Sequence, residues 1–244
     1  MNKKLLIVGC SHAAGSEIDG TNDSYYNREN SFGGQLAKMM DRTPINISVN
    51  GSTNSTIARS VLEWFETHYT SEDDVIVLIS WTESTRMEIP LLDRETYFES
   101  NNPSIDWFPP TAKNYFHINL GWPGSERERD LVMSYHKFIA NNIPYLEIFS
   151  ANLVLQIQYF LKMKGIDYIM CNAMNMFSPC KPLNFYLDLI DKSRYYQFDK
   201  NDECFFWKYR NLGYTNPKAK YWHHNEIPHS LYAEKLYEFM TKKL

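Results

Sequence analysis

Residues 5–12 read Leu5-Leu6-Ile7-Val8-Gly9-Cys10-Ser11-His12, an apolar run that passes into small and polar residues. Four consecutive apolar residues favour a buried parallel strand, and Ser11 then lies where this strand ends and the chain turns. Open α/β sheets place their chemistry outside the carboxyl ends of the strands. The segment therefore predicts an α/β fold with Ser11 at its functional edge.

Two further apolar runs also end in small polar residues. Residues 45–49 precede the polar stretch 50–55 and a helical pattern, and the stronger run 75–79 leads into the polar stretch 80–86. A fourth apolar run, residues 168–171, follows a long helical segment. This alternation predicts a parallel sheet with right-handed crossover connections.

The opposite end of the chain offers an imidazole and a carboxylate for Ser11. Glu226-Ile227-Pro228-His229 precedes a closing amphipathic helix, predicted over residues 231–244, which would fix His229 at its N-terminal approach. A serine hydroxyl needs an imidazole to take its proton and a third group to orient that imidazole. We predict Ser11 as nucleophile, His229 as base and Glu226 as orienter. The alternative interpretation is a turn serine and an unrelated surface histidine.

The order of these segments resembles the SGNH hydrolase superfamily, also called GDSL-type esterases. Gly9-Cys10-Ser11 is similar to the first sequence block, Gly-Asp-Ser, and Glu226-Ile227-Pro228-His229 is similar to the last, Asp-x-x-His. Gly51 is similar to the glycine of the second block, and Thr82 stands where the third block has its oxyanion-binding asparagine. Residues 29–37 also resemble the first helix of many bacterial and phage members.

The resemblance implies a three-layer α/β/α sandwich around a central parallel sheet, with flavodoxin-like topology. It implies one domain over residues 1–244, to which we add an irregular, aromatic-rich insertion at about 90–130. It also implies a serine esterase, with oxyanion donors from the backbones of Ser11 and Gly51 and from Thr82. An O-acetylated carbohydrate is the first expected substrate, because aromatic faces stack on sugar rings.

Metal and nucleotide sites have weak support in the sequence. His223-His224 lies close to His229, but no helical His-x-x-x-His pair and no carboxylates at ligand spacing accompany them. The turn after the first strand lacks both the Gly-Lys-Ser/Thr and the Gly-x-Gly-x-x-Gly patterns. We therefore expect no metal and no cofactor. The candidate substrate contacts are His12, Asn54, Trp81 and Ser84.

Composition limits the partners and the location of the protein. The 244 residues include 25 basic and 29 acidic side chains, and the basic residues are dispersed, which argues against nucleic acid. The first apolar run is shorter than the roughly seven to fifteen residues of a secretory signal, and no run approaches the roughly twenty of a membrane span. We expect a protein made in the cytoplasm without a signal peptide or membrane insertion. The four cysteines fit reduced thiols.

A second class of function stays open at this point. The chain could keep the fold as a structural or glycan-binding module, for example as a component of a phage particle or as a homo-oligomer. Thr82 in place of an asparagine and the aromatic insertion favour this module. The presence of Ser11, Glu226 and His229 favours the enzyme.

Overall fold

The computed structural model describes residues 2–90, 115–118, 129–174, 176–178, 181–198 and 203–242. The strands are β1 (Asn2–Gly9), β2 (Thr43–Asn46), β3 (Asp73–Trp81), β4 (Met87–Pro90), β5 (Tyr115–Ile118) and β6 (Asp167–Asn172). The helices are α1 (Ser11–Ala14), α2 (Tyr25–Asn30), α3 (Phe32–Met39), α4 (Asn54–Thr67), α5 (Arg129–Phe138), α6 (Ile143–Lys164), α7 (Lys181–Leu189), α8 (Phe205–Asn211) and α9 (Glu226–Thr241).

Four parallel strands form the central sheet in the order β2-β1-β3-β6. Side chains alternate between its two faces, as the period of a strand requires. Leu6 and Val8 join the core formed with α4, α6 and α7, whereas Leu5 and Ile7 join the core formed with α3, α8 and α9. The sheet is therefore covered by helices on both faces, which confirms the predicted α/β class and its three layers.

The carboxyl end of β1 lies between the loops that follow β2 and β3. Gly9 pairs in register with Ser80 of β3, and the N–H of Val49, beyond β2, donates to the carbonyl of Gly9 at 3.1 Å. Because parallel strands end at one edge, the residues that follow all three strands are brought together there. Ser11 begins α1 at this edge.

The last helix begins earlier than the sequence analysis predicts. Helix α9 starts at Glu226 rather than at residue 231, and the side chain of Asn225 accepts the N–H of Ile227 as its N-cap. Pro228 is tolerated because it lies in the first turn, where backbone N–H groups have no helical acceptor. His229 is consequently a helical residue on the buried face of α9, not a loop residue above the sheet.

Strands β4 and β5 form a separate antiparallel pair that packs against α4. The carboxylate of Glu88 forms an ion pair with Arg59 and accepts the hydroxyl of Thr56 at 2.6 Å. Strand β4 leads into the predicted insertion at about 90–130 and β5 lies within it, whereas residues 91–114 and 119–128 of that range lie outside the described residues. The aromatic residues on which the sugar-stacking prediction depends fall mostly within those two ranges.

Two further sequence expectations concern the cysteines and the membrane. Cys10 and Cys171 are free and buried, Cys204 is buried, and Cys180 lies outside the described residues. None of the described helices combines the length and the apolar composition that a bilayer crossing needs.

Candidate active site

Ser11 occupies the first position of α1 directly above the centre of the sheet. The preceding residue, Cys10, is extended at φ −93° and ψ −165°, so the chain turns sharply from β1 into the helix. Ser11 is 8% exposed, and its Oγ lies 2.9 Å from Nε2 of His223. The serine is therefore largely buried at the sheet edge and is hydrogen-bonded to an imidazole.

The other ring nitrogen of His223 contacts a carboxylate. Nδ1 lies 2.6 Å from Oε2 of Glu17, a residue that is 3% exposed. An ionised carboxylate can only accept hydrogen bonds, so the proton of the neutral imidazole lies on Nδ1 and Nε2 is left to accept from the serine hydroxyl. Ser11, His223 and Glu17 thus form one hydrogen-bonded series with the polarity that activates a serine.

The environment keeps the two ionisable members in the required charge states. Burial alone would raise the pKa of Glu17, but hydrogen bonds from His223, Tyr221 and Lys220 hold it below its ordinary value. The backbone N–H of Lys220 donates to Oε1 at 2.7 Å, and that of Tyr221 donates to Oε2 at 3.0 Å. Burial lowers the pKa of His223, and the contact with Glu17 opposes this shift only in part. At neutral pH the pair is a carboxylate beside a neutral imidazole.

The histidine and carboxylate predicted from the sequence are engaged elsewhere. Nδ1 of His229 accepts the backbone N–H of Phe32 at 3.1 Å, and its ring packs 4.7 Å from that of Phe205. Glu226 is exposed and accepts the hydroxyl of Tyr26 at 2.9 Å. The early start of α9 explains the difference, because it turns His229 into the core and Glu226 towards solvent. The hydrogen bond to Ser11 that was predicted for His229 is made by His223.

His224 is held by the backbone rather than by the serine. Its Nδ1 contacts the carbonyl of Tyr214, and its Nε2 lies 3.1 Å from the carbonyl of Phe206. Burial lowers its pKa, which these two carbonyls oppose. His224 therefore anchors the segment that carries His223 to α8. Within the residues that the structure describes, no cluster of His, Cys, Asp and Glu has the arrangement of a metal site.

The predicted oxyanion residues lie in the loops on either side of Ser11. Ser52 donates its N–H to the carbonyl of Val49 at 3.1 Å, which closes a tight turn with Gly51 at its third position. Gly51 has φ +75°, a value that favours glycine and is typical of that position in a type II turn. On the other side, Thr82 is fully buried, and its Oγ1 has no hydrogen-bond partner among the described residues.

Asn54 positions the Thr82 loop and has no free amide for substrate. Its Oδ1 accepts the N–H of Thr82 at 2.9 Å, and its Nδ2 donates to the carbonyl of Thr82 and to Ser150, both at 3.1 Å. Trp81 is fully buried in the core with α4 and α6. Both were predicted to contact substrate, and the structure instead gives them supporting roles.

His12 and Ser84 are the two remaining predicted contacts. His12 is 5% exposed, its ring centre lies 5.0 Å from that of His223, and its Nδ1 has no partner in the described part of the chain. Burial and the neighbouring histidines lower its pKa well below the ordinary value. Ser84 is 7% exposed and follows Thr82 in the same loop. His12 therefore contributes a neutral ring beside the base.

The sequence contains a signal for His223 that depends on the helix start. Asn225 is a favoured N-cap, and Pro228 is favoured in a first turn, so these residues together indicate a helix that begins near Glu226. A histidine that acts above the sheet then belongs before Asn225, where His223 and His224 lie. Glu17 has no comparable local signal, because its contact with His223 spans 206 residues.

The fold and site define an α/β protein that carries a Ser-His-Glu hydrogen-bonded series at the carboxyl edge of a parallel sheet. Residues 16–244 match the model of DUF6071, which is described as a family of unknown function, and the chain belongs to that family. A search of curated proteins finds no match.

Several solved structures are similar to the chain. A protein assigned to the G-D-S-L lipolytic family of Desulfitobacterium hafniense DCB-2 is 10% identical, covers 98% of this chain and 99% of its own, and has a TM-score of 0.45. The psychrotrophic esterase EstA of Pseudoalteromonas sp. is 11% identical, with coverages of 99% and 98% and a TM-score of 0.44. The acetyl xylan esterase Est2A of the rumen bacterium Butyrivibrio proteoclasticus is 12% identical, with coverages of 99% and 64% and a TM-score of 0.41. The fold assignment itself rests on the strand order and on the two helical layers.

Proposed function

We propose that the protein is a serine-dependent carboxylic ester hydrolase. The observation that carries this proposal is the series from Ser11 Oγ to His223 at 2.9 Å and from His223 to Glu17 at 2.6 Å. A buried serine, imidazole and carboxylate joined in this order are the parts that nucleophilic acyl transfer requires.

The chemistry proceeds through a covalent acyl-serine. Ser11 Oγ attacks the ester carbonyl while His223 Nε2 takes the hydroxyl proton, and the imidazolium formed is stabilised by Glu17. His223 then gives the proton to the departing alkoxide as the bond between carbonyl carbon and alcohol oxygen breaks. A water molecule, deprotonated by His223, attacks the acyl-serine and releases the acid and free Ser11.

The negative charge of the tetrahedral intermediate needs hydrogen-bond donors at the same edge of the sheet. The N–H groups of Ser11 and Gly51 and the hydroxyl of Thr82 are the proposed donors. The turn conformation of Gly51 and the unpartnered Oγ1 of Thr82 support this assignment. Asn54 supports it indirectly, because it fixes the backbone of Thr82.

An O-acetylated carbohydrate is the first substrate class to screen. Trp222 precedes His223 directly, is 63% exposed, and has the guanidinium of Arg210 4.8 Å from its ring centre. An exposed indole beside the base offers a flat apolar face on which a sugar ring can stack.

The test uses a fluorophosphonate probe, which reacts with activated serines and needs no knowledge of the substrate. We expect an adduct at Ser11 by peptide mass spectrometry, abolished in Ser11→Ala and strongly reduced in His223→Ala. His229→Gln is the matched control, because glutamine can still accept the N–H of Phe32, and we expect it to be labelled normally. Circular dichroism establishes that each variant is folded.

The opposite outcome favours the second class of function. If the folded protein is not labelled, or if labelling does not depend on His223, the esterase proposal fails. A structural or glycan-binding module, for example in a phage particle, would then be tested by self-association and by glycan binding that ignore Ser11→Ala.

A further inference from the structure

Arg86 is a partly buried cation that lies beside the candidate active site but has no part in the Ser-His-Glu series. It belongs to the loop after β3, and its Nη1 contacts the carbonyl of Ser52 at 3.5 Å, in the turn that holds Gly51. Its Nε donates to Glu83 at 2.8 Å, and its side chain is 12% exposed. The guanidinium thus links the two loops that flank Ser11.

The guanidinium keeps donors free for another group. A guanidinium has five N–H groups, and the contacts with Glu83 and Ser52 use one each. In the described ranges of the chain no other protein group takes a hydrogen bond from Arg86. Paired N–H groups in a rigid plane match the two oxygens of a carboxylate.

The charge of Arg86 acts on two of the imidazoles beside Ser11. Burial is the main reason that the pKa values of His12 and His223 are lowered, and the charge of Arg86 lowers both further. His12 also has a buried Nδ1 without a partner among the described residues. The charge of Arg86 therefore acts on His12, which is next to Ser11 in the chain, and on His223, which is hydrogen-bonded to Ser11.

We propose that Arg86 selects esters that carry a carboxylate close to the ester group, with the guanidinium fork binding that carboxylate beside Ser11. The proposal rests on the proposed ester hydrolysis and adds its substrate class. Glu83 already compensates part of the charge of Arg86, so the preference is expected to be moderate rather than absolute.

The test compares substrates that differ only in charge. In the first pair, para-acetoxybenzoate and its methyl ester, the charge difference lies on the leaving alcohol of the acetyl ester. In the second pair, mono-para-nitrophenyl succinate and its methyl ester, it lies on the acyl group. In the wild-type protein we expect a higher kcat/KM for the anionic member of one pair, which identifies the side that faces Arg86. The assays are run at mildly alkaline pH, where His223 is neutral in every variant.

Arg86→Gln should lower the ratio of kcat/KM for that anionic ester to kcat/KM for its neutral partner by about tenfold, because a charge-assisted hydrogen bond is lost only with the anionic ester. Glu83→Gln is the matched control and should increase the preference for the anionic ester. Equal effects of Arg86→Gln on both members of each pair would overturn the proposal while leaving ester hydrolysis intact.

A binding measurement separates failure of this proposal from failure of the hydrolase assignment. Folded Ser11→Ala protein is titrated with the same four esters, and the histidine side-chain signals are followed by NMR. We expect tighter binding of an anionic ester, lost when Arg86→Gln is added. If wild-type protein hydrolyses neither pair, this titration still decides the role of Arg86, and equal binding of charged and neutral esters refutes it.

Discussion

At the residue scale, Glu17 contacts the proposed base, His223, from an unexpected part of the chain. It lies six residues after the nucleophile rather than three residues before the histidine, and its backbone has φ +65°, an uncommon value for a residue other than glycine. Trp222, which precedes His223, is similarly at φ +67°. Backbone strain of this kind costs about 1–3 kcal/mol per residue and collects at functional sites. One of these two strained residues, Glu17, contacts His223, and the other, Trp222, directly precedes His223.

Replacing the orienting carboxylate should reduce turnover without removing the nucleophile. Glu17→Gln removes the negative charge that stabilises the imidazolium and puts an amide N–H where a backbone N–H now donates. We expect kcat/KM to fall by about a hundredfold or more in an acetyl ester assay. Glu226→Gln, which changes an exposed carboxylate bonded to Tyr26, should leave the rate unaltered. Equal rates for Glu17→Gln and wild type would remove Glu17 from the mechanism.

The lowered pKa of His223 predicts the acid side of the pH–rate profile. Only the neutral imidazole can accept the proton of Ser11, so kcat/KM should rise with pH as His223 loses its proton. Because burial lowers this pKa, the half-maximal point should lie below the ordinary histidine value of about 6.5. A stopped-flow or plate assay across mildly acidic buffers measures it. A midpoint clearly above that value would contradict the environment described for His223.

At the element scale, the short helix α1 sets the relative positions of Ser11 and Glu17. Its C-cap is Gly15, which has φ +75°, and a Cβ there would lie 2.2 Å from the carbonyl oxygen of Asn27. Because of this positive φ and this close approach to α2, the turn from α1 towards Glu17 requires glycine at position 15. The relative positions of Ser11 and Glu17 therefore depend on the turn at Gly15.

Gly15→Ala should consequently affect both stability and turnover. The added methyl group meets backbone rather than a movable side chain, so we expect a loss of about 1–3 kcal/mol in unfolding free energy and a lower kcat/KM. Gly165→Ala is the control, because Gly165 also has positive φ but a Cβ there meets nothing within 4 Å. That variant should lose about 1–2 kcal/mol from backbone strain alone and keep its activity. Urea titration and an ester assay separate the two, and full activity in Gly15→Ala would refute the coupling.

The contrast between β1 and α9 shows what the sequence could predict. The apolar run before Gly9 specifies a buried strand by itself, so the sheet and the position of Ser11 follow from local pattern. Helix α9 also has local signals, the N-cap Asn225 and the first-turn Pro228. The spacing of Glu226 and His229 carried more weight in the prediction, because that spacing resembles the Asp-x-x-His block. Glu17 could not be predicted, because an acidic residue in a loop acquires its partner only through the tertiary fold.

At the scale of the whole molecule, five buried histidines should make stability depend on pH. Burial lowers the pKa of each of them in the folded protein, whereas the unfolded chain titrates near the ordinary value of about 6.5. The unfolded state therefore binds more protons in the acidic range, and stability that is fully present above that value is lost as pH falls towards the folded values. The five residues are His12, His117, His223, His224 and His229, and burial lowers the pKa of His117 to about 4.

This dependence can be measured as a change in the free energy of unfolding with pH. Each histidine can contribute a slope of about 1.4 kcal/mol per pH unit between its folded and unfolded pKa values. Urea titrations from about pH 7.5 down to about pH 5 should thus show a steep decline. His229→Gln, which removes one titrating group and keeps an acceptor for Phe32, should reduce the slope. A stability that is constant over this range would contradict the buried, neutral state of these side chains.

The hydrogen bonds from Lys220 and Tyr221 to Glu17 join residues that are 203 and 204 positions apart. During synthesis, all strands of the central sheet, which ends at Asn172, together with Ser11 and Glu17, precede His223, the proposed base, in the chain. A growing chain can therefore form its sheet while Ser11 still has no imidazole from His223 to accept its proton. Under the proposed mechanism, Ser11 becomes reactive only when the segment around His223 has been synthesised and packs against the sheet. Fluorophosphonate labelling of arrested nascent chains of increasing length would show at which chain length this happens.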